Sequence, residues 1–207
     1  MEQLPAIFVG DALGLDFLNS LATPVDAPVD WISDGNGLAA WLEQAGVVPL
    51  AALKAIRSKS SPAELDAVAN QAVSLREWFR AFVRKHQGRP LTAVDLGELG
   101  RLNRLLERDD SYLRLALPSP GEDGPIALQR RRRWQTADSL LLPIAEALAQ
   151  VVAREDFTHV KACEGPSCTL LFADHTRGHG RRWRSMALCG NRAKQAAHRE
   201  RLKALRG

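Results

Sequence analysis

The sequence is poor in cysteine: three in 207 residues, Cys163, Cys168 and Cys189, all near the C-terminal end. An odd count without a secretory signal argues against a disulfide framework, and the clustering points to a local site. No basic segment precedes an apolar stretch at Met1-Glu2-Gln3-Leu4-Pro5, so no secretory leader is expected. No hydrophobic run is long enough to cross a bilayer. The most apolar one, residues 140–153, is broken by Pro143, Glu146 and Gln150. A cytoplasmic protein without a membrane partner is the expectation. Repeats and low-complexity tracts are missing too. Gly10 and Gly14 are not followed by Gly-Lys-Ser/Thr, so they form no phosphate loop. His86, His159 and His198 stand apart, and no paired carboxylates or Ser-His-Asp pattern converge, so catalysis is not expected.

What is present is a strong asymmetry of charge. The chain carries +4 overall, yet residues 177–207 hold ten Lys and Arg against a single acid, Glu200. That tail is +9 and the rest of the chain −5. A basic end on an acidic body fits a polyanionic partner, against the plainer reading of a solvated, partnerless helix.

The body reads as helical. Leu13, Phe17, Leu18 and Leu21 fall at helical spacing within residues 10–22, and Asp16 and Asn19 share a face suited to bonding a neighbouring loop. Asp34 or Asn36 caps a second helix, with Leu38, Trp41, Leu42 and Ala45 on its apolar face and Gly46 ending it. Ser61-Pro62-Ala63-Glu64 combines a serine cap, proline at the first position and glutamate three after the cap. A long stripe follows: Leu65, Val68, Ala72, Leu75, Phe79 and Phe82. Thr92 or Asp95 opens a leucine-rich helix through Leu106. Residues 112–117 and 126–134 read as a small hairpin carrying Arg130 to Arg133, and residues 137–154 as the last helix of the body, with Pro143 in its first turn. About five helices and one hairpin give a mostly α, α+β class.

The C-terminal stretch holds the chemistry. Cys163 and Cys168 flank a Gly-Pro turn and Cys189 precedes a basic segment, so three thiolates can meet around one zinc; three buried, unliganded thiols is the plain alternative. Phe172, Asp174-His175-Thr176, Arg181-Arg182-Trp183-Arg184-Ser185-Met186 and Cys189-Gly190-Asn191-Arg192 complete the pattern. This stretch resembles the CGNR zinc finger family. Residues 14–19, Leu38 to Trp41 and Leu75-Arg76-Glu77 resemble the ABATE domain, which precedes that finger and is proposed to regulate transcription under stress. The resemblance implies a bacterial protein that binds zinc and DNA. It also exposes a departure: Arg184 stands where the family has the third of its four cysteines. A guanidinium stays protonated and offers no lone pair to a metal. Either His175, His179 or a water completes a three-thiolate site, or the metal is gone and Arg184 pairs with Asp174 or a thiolate.

The division expected is a helical ABATE-like domain over residues 1–155 and, over 156–207, a treble-cysteine zinc-finger-like knuckle with a basic C-terminal helix. Candidate metal ligands are Cys163, Cys168, Cys189 and His175. Candidate nucleic-acid contacts are Arg181, Arg182, Arg184, Arg192, Lys194 and Arg199. The leading expectation is a DNA-binding transcription regulator whose body senses a ligand or forms a homodimer. The alternatives are an RNA-binding accessory protein, and a small-molecule-binding domain with a metal-free finger.

Overall fold

The computed structural model describes residues 5–23, 27–117, 125–165 and 168–190, with nothing said of the side chains of residues 187 and 188. The expected basic C-terminal helix lies outside these residues. The class is mostly α, with three two-stranded antiparallel pairs among the described residues. Six helices are present among the described residues: α1 Leu13–Leu18, α2 Gly35–Ala45, α3 Leu50–Lys59, α4 Pro62–His86, α5 Gly100–Leu106 and α6 Leu141–Arg154. The strands are β1 Leu21–Ala22 with β2 Val29–Asp30, β3 Ser111–Ala116 with β4 Ala127–Arg132, and β5 Val160–Ala162 with β6 Leu171–Ala173. None of the described helices is long and apolar enough to cross a membrane.

Local sequence explains the boundaries. The Asp34 carboxylate accepts the Gly37 N–H at 2.7 Å and caps α2, which ends on Gly46 at φ +67°. Ser61 and Glu64 form a reciprocal capping box at the head of α4. Asp95–Leu99 is a 3-10 turn that leads into α5, so the regular helix starts later than the leucine spacing implies. Pro143 sits in the first turn of α6, where its missing N–H costs nothing. The first helix is only six residues long.

α1 threads between α4, α6 and β6, and this sets the position of the site. Gly14 permits it: a Cβ there would lie 2.6 Å from the Ala147 carbonyl oxygen and 2.7 Å from Val151. Phe17, Trp41, Phe79 and Leu148 are buried in the resulting core, and Leu170, Leu171 and Ala173 of the cysteine-bearing segment belong to the same core. Beneath it, Arg76 is buried and makes a bidentate pair with Asp30 at 2.7 and 2.9 Å, which holds the β1–β2 corner on α4. In the β3–β4 hairpin, Arg132 faces the body and meets Asp109 at 2.7 Å and Glu146 at 2.9 Å, while Arg133 pairs with Asp110.

Candidate metal centre and its basic loop

β5 and β6 form a short hairpin that the body grips directly. Asn19, fully buried at the end of α1, donates from Nδ2 to the Leu171 carbonyl at 2.8 Å and accepts the Leu171 N–H at 2.9 Å. The Ala173 N–H donates to the Gly10 carbonyl, and the Gly10 and Val9 N–H groups donate to Asp16 at 2.6 Å. Burial pushes the Asp16 pKa up to about 6, against the pull of those two N–H bonds. Asp16 and Asn19 thus bond neighbouring backbone, the role their shared helix face suggested.

Cys163 follows β5 and Cys168 precedes β6, so the hairpin closes one beside the other. Cys189 comes from a wide turn, Met186–Gly190, anchored by its N–H to the Ser185 carbonyl at 2.9 Å. The three sulfurs lie within 4.8 Å of one another. The Cys168 and Cys189 sulfurs are 3.8 Å apart. Two thiolates bound tetrahedrally at about 2.3 Å would stand about 3.8 Å apart, so this pair already has the spacing zinc requires. Gly165 makes the approach possible: a Cβ on it would come within 2.9 Å of Cys189 Cβ and 3.2 Å of Cys168 Cβ. The Arg184 N–H donates to the Cys163 sulfur at 3.4 Å, and the Leu170 N–H supports Cys168. Burial first, then crowding by Cys168, pushes the Cys189 thiol up to about 12; burial also raises Cys168. Neutral thiols are therefore favoured until a cation takes the place of their protons.

The loop from residue 174 to 184 is built on one buried carboxylate. Asp174 accepts Lys161 Nζ at 2.8 Å, the Thr176 N–H at 3.1 Å and hydroxyl at 2.5 Å, and the Arg181 N–H at 2.9 Å. Burial would raise its pKa, but these four donors hold it well below the usual carboxylate range. Lys161 also donates to the His179 and Arg181 carbonyls and so closes the loop.

The structure brings together Cys163, Cys168 and Cys189 but places His175 and His179 elsewhere. His175 is exposed and bonds Glu155 at 2.6 Å. His179 donates from Nδ1 to the Asp174 carbonyl at 2.8 Å and stacks on His159 at 3.6 Å between ring centres. Arg184 is buried, at 6% exposure, and Asp174 is not its partner. Arg181 turns back on the protein: it pairs with Asp11 at 2.5 Å, donates to the Trp183 and Arg184 carbonyls, and lies over the Phe172 ring at 4.6 Å. Arg182 is largely exposed, pairs with Glu164 at 2.6 Å and lies over Trp183. Arg192, Lys194 and Arg199 lie outside the described residues. Sequence reasoning read Gly165 as part of the turn between Cys163 and Cys168 but missed Lys161, since a lone lysine carries no signal until the loops it joins are folded.

Among the described residues one other cluster gathers ligand-type atoms, His86, Asp95 and Glu98. It is already engaged: Arg89 makes a bidentate pair with Asp95 at 2.8 and 3.0 Å and also bonds His86, and Lys85 pairs with Glu98. Its work is to close the end of α4 on the following turn.

The ABATE family model, described as "Putative stress-induced transcription regulator", matches residues 11–155. The CGNR zinc finger model matches residues 159–202. No curated protein matches the chain.

Proposed function

Because this chain belongs to the ABATE family and carries a CGNR zinc finger after it, we propose that it is a cytoplasmic bacterial transcription regulator that binds DNA through its C-terminal module. The observation that carries the reading is the gathering of three thiols beside the most basic part of the chain. Zinc is the metal we assign to Cys163, Cys168 and Cys189, because a soft trio of thiolates at this spacing suits it. Held by Cys163, Cys168 and Cys189, the ion would tie the β5–β6 loop to the Met186–Gly190 turn. The protein's own residues do the rest. Asp174 and Lys161 shape the loop, and Arg177 and Arg182 are exposed on it for phosphate. Arg192, Lys194 and Arg199 extend that charge along the sequence. Arg181 and Arg184 serve the module from within. The role is binding rather than catalysis.

The test is binding of the full chain to duplex DNA and to an RNA hairpin across a salt series. Each phosphate contact contributes about −0.9 to the slope of log affinity against log salt. Tighter binding to the duplex with a steep slope supports the reading; preference for the hairpin moves it to RNA. Retained affinity at high salt would remove the phosphate contacts altogether.

A second reading, small-molecule binding by the body, is favoured by one observation. A groove of about 880 Å³ opens between the β3–β4 hairpin and the start of α3. Leu115 and Trp134 line it beside Arg114 and Arg130. Apolar walls with guanidinium groups suit an amphipathic organic anion. Such a ligand would raise the melting temperature of the wild-type protein and not that of an Arg114→Ala, Arg130→Ala variant.

A further inference from the structure

The β3–β4 hairpin is amphipathic, and its apolar side is uncovered. In an antiparallel pair, cross-strand partners point to the same face and successive residues to opposite faces. Leu113 pairs with Arg130 and Leu115 with Leu128, so these four share one face. The same parity takes in Leu117 and Ile126, one residue beyond each strand. Tyr112, Arg114, Gln129 and Arg131 take the other face. Such alternation is the pattern of a sheet with one side buried. Here, however, the five aliphatic residues are 61–71% exposed. Elsewhere among the described residues the large exposed apolar side chains, Phe8, Leu50, Val94, Leu96 and Met186, are spread over separate segments. Scattered residues of that kind need no explanation, whereas five on one face of a short hairpin form a patch. The hairpin is also firmly placed. Six residue pairs are in register, and Arg132 and Arg133 tie its base to Asp109, Glu146 and Asp110.

We propose that this face is the contact surface for a second copy of the chain, the two hairpins packing face to face about a two-fold axis. At roughly 100 Å² for each leucine or isoleucine exposed to this degree, the five contribute about 500 Å² per copy. Two copies together reach about 1,000 Å², the area at which a specific interface begins. An apolar face is its own complement, and a closed two-fold leaves neither patch in water. The chain's own tail fits less well, because it is +9 and the face carries Arg130 and no acid. Charge also sets the direction of packing. Arg130 marks the end of the face nearest the hairpin base, so in antiparallel packing the two guanidiniums stand at opposite ends of the interface. Leu113, Ile126 and Leu128 lie outside the groove lined by Leu115 and Trp134. The inference therefore stands apart from the small-molecule reading and from the metal assignment.

The experiment is sedimentation velocity of the full chain from about 1 to 100 µM, a range suited to an interface of this size. The wild type is expected to be a dimer at the upper end. Leu113→Glu and Leu128→Glu each set a carboxylate on the apolar face and raise the dissociation constant at least about tenfold. Val94→Glu makes the same change on an exposed apolar residue away from the hairpin and leaves the constant unaltered. Leu128 and its partner Leu115 form the middle of the patch. An equimolar mixture of Leu128→Glu and Leu128→Lys therefore recovers a dimer that neither forms alone, an outcome that misfolding does not produce. If thermal melting shows the glutamate variants to be unfolded, Leu113→Ser and Leu128→Ser carry the comparison. A wild type that stays monomeric throughout the range overturns the inference. So does a dimer indifferent to both hairpin substitutions, which places its interface elsewhere, and so does one weakened equally by Val94→Glu. A charge-swapped mixture that stays monomeric overturns the meeting of two identical faces. Duplex affinity and its salt slope are separate measurements, so the failure of either reading is told apart from the failure of the other.

Discussion

Single residues set the tolerances of this site. Gly165 is the sharpest case, because any Cβ there meets Cys189 at 2.9 Å and Cys168 at 3.2 Å. Gly165→Ala is expected to weaken metal binding about tenfold or more by spreading the sulfurs, measured by competition with a chromophoric chelator. Asp16 makes the opposite kind of prediction. Its pKa rises from 3.8 unfolded to about 6 folded, so the folded state holds the extra proton between those values. Stability from this group is present below about pH 4 and is lost as pH rises through 6. Asp16→Asn keeps an oxygen for the Val9 and Gly10 N–H groups without the buried charge. It is expected to be more stable than wild type at pH 8 by about 2–3 kcal/mol, with the difference shrinking towards pH 4 in denaturant titrations. An unchanged pH profile would sink this account of Asp16. At this scale the sequence was readable where chemistry is local. The three cysteines and the Arg184 anomaly stand in the sequence itself. The places of His175 and Arg181 do not, because Glu155, Asp11 and Phe172 reach them only through the fold.

Elements were legible in proportion to how much of their stability is their own. α4 carries its capping box and a long apolar stripe, so its start is fixed by four consecutive residues. Ser61→Ala should cost about 1 kcal/mol, seen as a melting temperature lowered by about 2–4 °C for a chain of this size. Glu64→Ala should cost less, since it removes the bonds from the Ser61 N–H and hydroxyl to the carboxylate but leaves the Ser61 oxygen to cap the backbone N–H of residue 64. α2, α6 and the β3–β4 hairpin were visible for similar reasons: caps, periodicity and alternation. α3 was not. Only Leu53 and Ile56 of its ten residues are buried, and Pro49 offers no side-chain cap, so neither stripe nor signal stands out. β5 and β6 were missed because three residues show no period. Asn19 and Gly10 bond the backbone of β6 from outside, and β5 pairs with β6.

At the scale of the molecule, the cysteine module is joined to the body by more than a linker. Asn19 reaches 152 residues along the chain to hold both polar groups of Leu171. Asp11 pairs with Arg181 across 170 residues, and Leu170, Leu171 and Ala173 share one core with Phe17 and Trp41. A cut at residue 155 would therefore leave α1 without the strand that covers it. It would also leave the Asn19 amide buried without partners or newly wet, and either outcome costs free energy. Fragment 1–155 is expected to melt at lower temperature than the full chain and to bind a hydrophobic dye. In the full chain, Asn19→Leu removes two buried hydrogen bonds and leaves the Leu171 groups unpaired, a loss of about 2–4 kcal/mol. A change at α1 should reach the β5–β6 hairpin, and with it the three cysteines and the loop after β6, because Asn19 holds both polar groups of Leu171. Asn19→Leu should therefore lower duplex affinity without touching any phosphate contact, so the salt slope stays at its wild-type value while the affinity falls. A reduced slope would instead mean that the variant has lost contacts, and that α1 is part of the binding face rather than the lever behind it.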